Sequence, residues 1–403
     1  MKRTRYFVSA PRAWGWACLA SASMVLVVAC ATSNDEPPRE TESPVDGGSK
    51  LPDVEAADAA DASDARVDGE VLRCSGEFCL VDLPNAAGYG ISEWLFSGVY
   101  ADSTVGVWAI ANGVAGRDDG ATTQLLRFEN DAWKVERQVQ LAVGSSARNV
   151  RLVSLSGNGA GKLLAVGVSD VDGQGVVFRG DAAALSFTTE AFEADLRGSW
   201  FANADQSWIV GGGGRIFRSS AQGEWESAGT VEGDFSCIWG RGPNDVYVGG
   251  SVFDPDWGDN FGAVGRLVAG DGGEPSWLFA RFDASFVQPF GVHDVTAGAA
   301  VEGVSWWSAA GAFAKSAETE TGWELDAFQP PIPLRSFWAR SSTDVWAVGD
   351  VGRIYHYDGT SWKPLALVFN GAPLTANLTS VTGSSAGELF IVGEGIALRR
   401  KAP

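Results

Sequence analysis

The sequence predicts an all-β fold, a seven-bladed β-propeller of four-stranded antiparallel blades, and three observations carry that prediction. One unit recurs along the chain and is clearest in Leu334 to Trp362, LRSFWARSSTDVWAVGDVGRIYHYDGTSW. Its central run, Asp344-Val345-Trp346-Ala347-Val348-Gly349, is apolar on both alternating faces, so its sheet must be covered on both sides. The composition is that of short strands and turns, with 51 Gly, 17 Trp and 2 Met in 403 residues. A small sheet that needs a neighbour against each face obtains both by repeating in a ring.

Taken in order, residues 1–30 read as an export signal. Lys2, Arg3 and Arg5 give a basic start, and Ala13 to Ala29 is apolar but short for a membrane span. The stretch ends in Val27-Val28-Ala29-Cys30, which resembles the lipobox of bacterial lipoproteins. The resemblance implies that Cys30 receives lipid and becomes the new N-terminus. Ala31 stands where an aspartate would signal inner-membrane retention, which implies sorting to the outer membrane, on its periplasmic or cell-surface side. The alternatives are an ordinary cleaved signal and an uncleaved anchor. Residues 31–72 are rich in Pro, Ala, Ser, Asp and Glu and hold no aromatic residue. Such a segment buries too little apolar surface to offset its ordering entropy and is expected to be a disordered acidic linker.

The propeller is expected over residues 73–403. Cys74 and Cys79, in an exported chain, point to a local disulfide. The copies place first strands near Phe96, Leu152, Leu196, Phe235, Val287, Leu334 and Leu378. Second strands start at Val107, Leu163, Ser207, Asp245, Ala299, Asp344 and Glu388. The last copy ends without a fourth strand, and Phe78 to Leu83 is free to supply it, which would close the ring without an open edge. The units SSTDVWAVGDVGRIYHYDGTSW and LRSFWA, with the leading CSGEFC, resemble repeat lipoproteins abundant in myxobacteria, and more distantly the BNR/Asp-box and photosystem-assembly propellers. The resemblance spans roughly residues 74–400 and implies a fold more than an activity. The Asp-box pattern is not kept: Asp358 and Gly359 are adjacent, and His356 occupies the place of its hydroxyl residue.

The formal charge of −20 argues against a nucleic-acid partner, because such a surface repels phosphates. Catalytic inventory is thin. The two histidines are His293 and His356, and His356 aligns with Arg127, Arg218 or Ala269 of other copies, as a strand residue would. No nucleophile elbow, phosphate loop or metal-binding Cys pair is present, so no catalytic residue is assigned. Acidic loops offer Asp170 and Asp172, and Asp254, Asp256 and Asp259, as candidate calcium ligands, with the ordinary turn chemistry of Asp and Gly as the alternative. Trp200, Trp239 and Trp338, near the ends of first strands, are candidates for a ligand face or for packing between blades. Cys237 is expected to act as a small buried hydrophobe. The expected function is a membrane-tethered, monomeric binding module for a protein or glycan. An enzyme acting on extracellular polysaccharide and a scaffold of an envelope assembly are the alternatives.

Overall fold

In a computed structural model the described residues are 73–114, 121–220, 222–254, 259–269, 275–281, 295–309, 312–319, 322–328, 334–384 and 386–402. Cys30, the signal, the 31–72 linker, Asp256, Val287 and His293 lie outside them.

The Leu334 unit folds as its sequence reads. Its strands are Leu334–Ser341, Asp344–Gly349, Ile354–Tyr357 and Trp362–Leu365, joined in order and antiparallel. The doubly apolar second strand is buried on both faces, and its alternate residues go to different cores. Val345 and Ala347 pack with Ala297 and Trp306 of the preceding copy. Trp346 and Val348 pack with Phe78, Leu378 and Leu389 of the following one. Period-two alternation thus delivers one strand to two interfaces. Burying each such side chain contributes about 1.5–3 kcal/mol, and no copy has this core by itself.

The described residues form four four-stranded sheets, one of eight strands, one of five and a two-stranded ribbon. The arrangement is an all-β propeller. The eight-stranded sheet joins the first two copies through a hairpin, with Val143 opposite Ser146, and this long hairpin accounts for the wide spacing between Phe96 and Leu152. In the five-stranded sheet, Phe78–Leu80 pairs antiparallel with Leu398–Arg400, supplying the strand that the last copy lacks. Cys74 and Cys79 are disulfide-bonded across the hairpin that leads into it. The next residue but one, Asp82, bridges to Ala132 of the first copy, and its carbonyl accepts from the Trp133 amide at 2.9 Å.

Two readings of the sequence need correction. The fifth copy is displaced by one strand: its first strand is Val295–Val301 and its second Val304–Ala309. The run Ala299-Ala300-Val301-Glu302-Gly303 is the end of the first strand and the turn, with φ of 48° at Glu302 and 79° at Gly303, and not a second strand. Its Val-Glu-Gly imitates the Val-Gly-Gly that ends second strands elsewhere. The acidic loop of the fourth copy is also largely strand, as is the matching segment of the first. Gly106–Val114 pairs with Ala121–Glu129, and Asp245–Asp254 pairs with Asp259–Ala269, with Asp254 opposite Asp259.

Candidate functional site

The first strand of each copy carries a β-bulge at the same place. The register skips Ser97, Val153, Arg197, Ser236, Thr296, Arg335 and Thr379, each the residue after the first apolar anchor. A bulge bends the strand and re-aims one side chain. The next residue is always small: Gly98, Ser154, Gly198, Cys237, Ala297, Ser336 or Ser380. Crowding explains this. A Cβ on Gly98 would lie 2.9 Å from Leu155 Cβ, and one on Gly198 would lie 3.1 Å from Cys237 Cα.

These small residues stitch neighbouring first strands together. Ser154 Oγ accepts from the Ser199 amide at 3.1 Å, Ser336 Oγ from the Val381 amide at 3.2 Å, and Ser380 Oγ from the Val99 amide at 3.2 Å. The bulged hydroxyls add donors: Ser97 Oγ to the Leu152 carbonyl at 2.8 Å, and Thr379 Oγ1 to the Phe96 carbonyl at 2.7 Å. Two of these bonds run from the last copy to the first. Cys237 belongs to the same set, its thiol 3.3 Å from the Val295 carbonyl, so it is half-buried and polar in role.

The stitched strands surround one cavity of about 450 Å³. Its lining includes the serines and Thr379 just described, Tyr100, Trp200, Trp239 and Trp338, and Arg197 and Arg335. Among the described lining residues none carries a carboxylate. Arg197 donates to Asp195 Oδ2 through Nε at 2.9 Å and Nη2 at 2.8 Å, with Asp234 3.7 Å from Nη1. Arg335 donates to both carboxylate oxygens of Asp350, Nε to Oδ1 and Nη2 to Oδ2, and that hydrogen bonding raises its pKa above the ordinary arginine value. Both cations are thus held in fixed planes.

Trp200, Trp239 and Trp338 do come together here, but as wedges between copies. A Cβ on Gly240 would lie 2.8 Å from the Trp200 ring, one on Gly298 2.4 Å from Trp239, and one on Gly383 2.7 Å from Trp338. Gly157 receives Tyr100 in the same way, at 2.2 Å. Trp239 also stacks on Tyr247, with centroids 5.8 Å apart, and its Nε1 donates to Ser305 at 2.9 Å. Each ring presses on a glycine of the next copy, which fits packing between copies better than a sugar platform. Burial, and then the Asp102 carboxylate, push the Tyr100 phenol far up, so it stays protonated and donates to Asp102.

The other candidates lie elsewhere. Asp172 pairs with Arg148 at 2.5 Å and accepts from the Gln174 amide at 3.1 Å; the amide bond, foremost, lowers its pKa. Its positive partner is therefore a guanidinium. The Asp170 amide donates to the Asn149 carbonyl at 3.2 Å. Asp254 and Asp259 sit at paired strand ends, and among the described residues no three His, Cys, Asp or Glu side chains converge on a metal position. His356 lies opposite Trp346, a register position held elsewhere by Arg127, Arg179, Arg218, Arg266, Lys315 and Arg399. The fourth-copy equivalent is thus Arg266 and not Ala269. Arg197 and Arg335 were missed in the sequence. The available signal was that bulged positions otherwise carry Ser, Thr or Val.

No family model matches the chain, and no curated protein does either. Solved structures do. YCF48 from Cyanidioschyzon merolae is 12% identical with a TM-score of 0.52, over 80% of this chain and 98% of that one. YCF48 bound to D1 peptide is 16% identical with a TM-score of 0.55, over 81% and 97%. The extracellular domain of BT4673 from B. thetaiotaomicron is 14% identical with a TM-score of 0.53, over 80% and 39%. At these identities the likeness establishes the propeller fold. No described helix is long and apolar enough to cross a membrane.

Proposed function

We propose that the protein is an exported, monomeric lipoprotein, anchored through Cys30 at the outer membrane, whose propeller binds an extended segment of a protein partner. The proposed ring has seven blades, the eight-stranded sheet being two blades joined by one hairpin. The recurrence of the same bulge in every copy supports that count.

The observation that carries the binding reading is the channel. Its volume of about 450 Å³ suits a ligand-sized occupant, and its described lining holds hydroxyl residues, Arg197 and Arg335 and no Asp or Glu. Aromatic rings engaged in packing between copies favour a polypeptide over a sugar. That YCF48, similar in fold, has been solved with a bound peptide supports the same choice. Full-length protein, immobilised and exposed to detergent-solubilised envelopes, is expected to retain a discrete polypeptide. Retention should fall about tenfold, or roughly 1.4 kcal/mol, for the double variant Arg197→Ala, Arg335→Ala. Equal retention by both proteins, or release of glycan alone, would refute the reading. For the anchor, Cys30→Ser should move the protein from the membrane to the soluble fraction; unchanged partition would count against lipidation.

A further inference from the structure

A second cavity, of about 380 Å³, opens between the second and third copies. It exists because two features that fill this place elsewhere are both missing. The second strands carry a ring turned towards the next copy: Trp108, Trp208, Trp306, Trp346 and Phe390. The second copy has Leu164 there, opposite Arg179 as Trp108 is opposite Arg127. The next copy usually meets that ring with a large third-strand side chain. Trp306 lies 4.8 Å from Tyr357, Phe390 lies 5.0 Å from Phe128, and Trp346 lies 5.2 Å from the Arg400 guanidinium. The third copy offers Ser219 instead. Its neighbour Ser207 stands where Val107, Val345 and Leu389 flank those large residues.

The vacated place has a defined chemistry. Leu164 and Phe201 give it apolar walls. Ser207 and Ser219 are buried, 7% and 5% exposed, where Val107 and Phe128 stand in the first copy and Val345 and Tyr357 in the sixth. Ser219 Oγ accepts from the Ser207 amide at 2.8 Å and from Ser207 Oγ at 3.0 Å. By hydroxyl counting this leaves the Ser219 proton to donate and the Ser207 lone pairs to accept. Arg179 closes one side, its plane fixed by Glu190 at 2.7 Å and the Gly223 carbonyl at 2.6 Å. In the first copy the equivalent guanidinium lies 5.3 Å from the Trp108 ring centroid, a cation–π arrangement.

We propose that this cavity is a binding site for a flat aromatic ring with a polar edge, an indole or a phenol. The ring would lie between Leu164 and Phe201 beneath Arg179, with its N–H or O–H on the serine pair. It would occupy the place that other copies fill with their own Trp or Phe. The site is separate from the channel and stands whether or not the channel binds a partner. The ring could be carried by a free small molecule or by a polypeptide side chain.

The test uses the full-length protein with N-acetyltryptophanamide and N-acetyltyrosinamide as probes, N-acetylalaninamide as control, and saturation-transfer NMR with titration as readout. The aromatic amides should receive saturation and the alanine amide should not. Leu164→Trp, which restores the repeat's own ring, should abolish the signal. Ser219→Phe should do the same by filling the opposite wall, and covers the case in which the first variant fails to melt cooperatively. The double variant Ser207→Ala, Ser219→Ala should weaken binding about threefold to tenfold, the loss of one or two neutral hydrogen bonds, and weaken tyrosinamide as well. A tryptophan pentapeptide flanked by glycines separates the sources. Tighter binding than the amide assigns the ring to a polypeptide, and equal or weaker binding assigns it to a small molecule. Absence of saturation in the wild type, or undiminished binding in both ring-filling variants, overturns the site.

Discussion

Asp344 shows how one residue fixes a whole repeat. Its Oδ1 accepts from Trp346 Nε1 at 2.9 Å and from His356 Nε2 at 2.9 Å, while Oδ2 pairs with Arg340 at 2.6 Å. His356 then lies flat on Trp346, with centroids 4.1 Å apart at 15°. The acid recurs as Asp245 with Arg241 and Arg266, and as Glu388 with Arg399. Asp344→Ala should lower stability by about 2 kcal/mol, since it strips the acceptor from a charge-assisted cluster. An urea titration with an unchanged midpoint would refute the assignment. Asp358 acts differently, by capping its own turn. Hydrogen bonds from Lys363, then Thr360 and Ser361, hold its carboxyl far below the ordinary range. A depressed folded-state pKa gives stability that is present above the unfolded value and lost as pH falls towards the folded one. The melting difference between wild type and Asp358→Asn should therefore be largest near neutrality and shrink below about pH 4. Of these roles the sequence displays the apolar burial of Trp346 but not the hub beneath it. The partners of Asp344 arrive across two hairpins, and the Gly-Arg of Gly265-Arg266 imitates Gly352-Arg353 and shifts the alignment by three residues.

At the scale of the strand, the recurring bulge and the small residue after it turn seven different sequences into one shape. Period-two patterning announces most first strands, because Phe96, Leu152, Leu196, Phe235, Leu334 and Leu378 are each nearly fully buried anchors. It fails in the fifth copy, where Val295-Thr296-Ala297-Gly298-Ala299 has small residues and no aromatic end. Trp239 of the fourth copy fills that space instead, pressed against Gly298. The same dependence makes a prediction at Gly157. A methyl group there would lie 2.2 Å from the Tyr100 ring, so Gly157→Ala should displace the ring and cost about 1–3 kcal/mol. The double variant Gly157→Ala, Tyr100→Leu should recover part of that loss in thermal melts. Additive losses would mean that the ring and the glycine do not share the space. The channel was legible only as a count of strands. Its arginines sit on bulges, and a bulge leaves no mark in an apolar–polar alternation.

For the molecule as a whole, the decisive joint is between the last copy and the beginning of the chain. Phe78–Leu80 completes the final sheet, Arg400 pairs with Glu77, and Arg399 reaches Asp131 of the first copy. The apolar run Phe78 to Leu83, standing ahead of the first copy, made this closure readable from sequence. The additional tie of Asp82 to Ala132 was not readable, since a single parallel bridge has no pattern. Removing residues 73–83 should expose the edge of Ala397–Arg400 and convert a single sharp peak in size-exclusion chromatography into aggregates; a monodisperse truncated protein would show that the strand is dispensable. The bridge between Cys74 and Cys79 has a mechanical consequence as well. Tension drawn along the chain from the N-terminal side crosses from Cys74 directly to Cys79 and bypasses the intervening turn. Cys79 is the middle residue of the closing strand, so the load arrives at its centre and not at a free end. Peeling one hydrogen bond at a time is replaced by breaking the strand's bonds together. The closing strand is thereby loaded as a unit where the preceding chain enters the propeller.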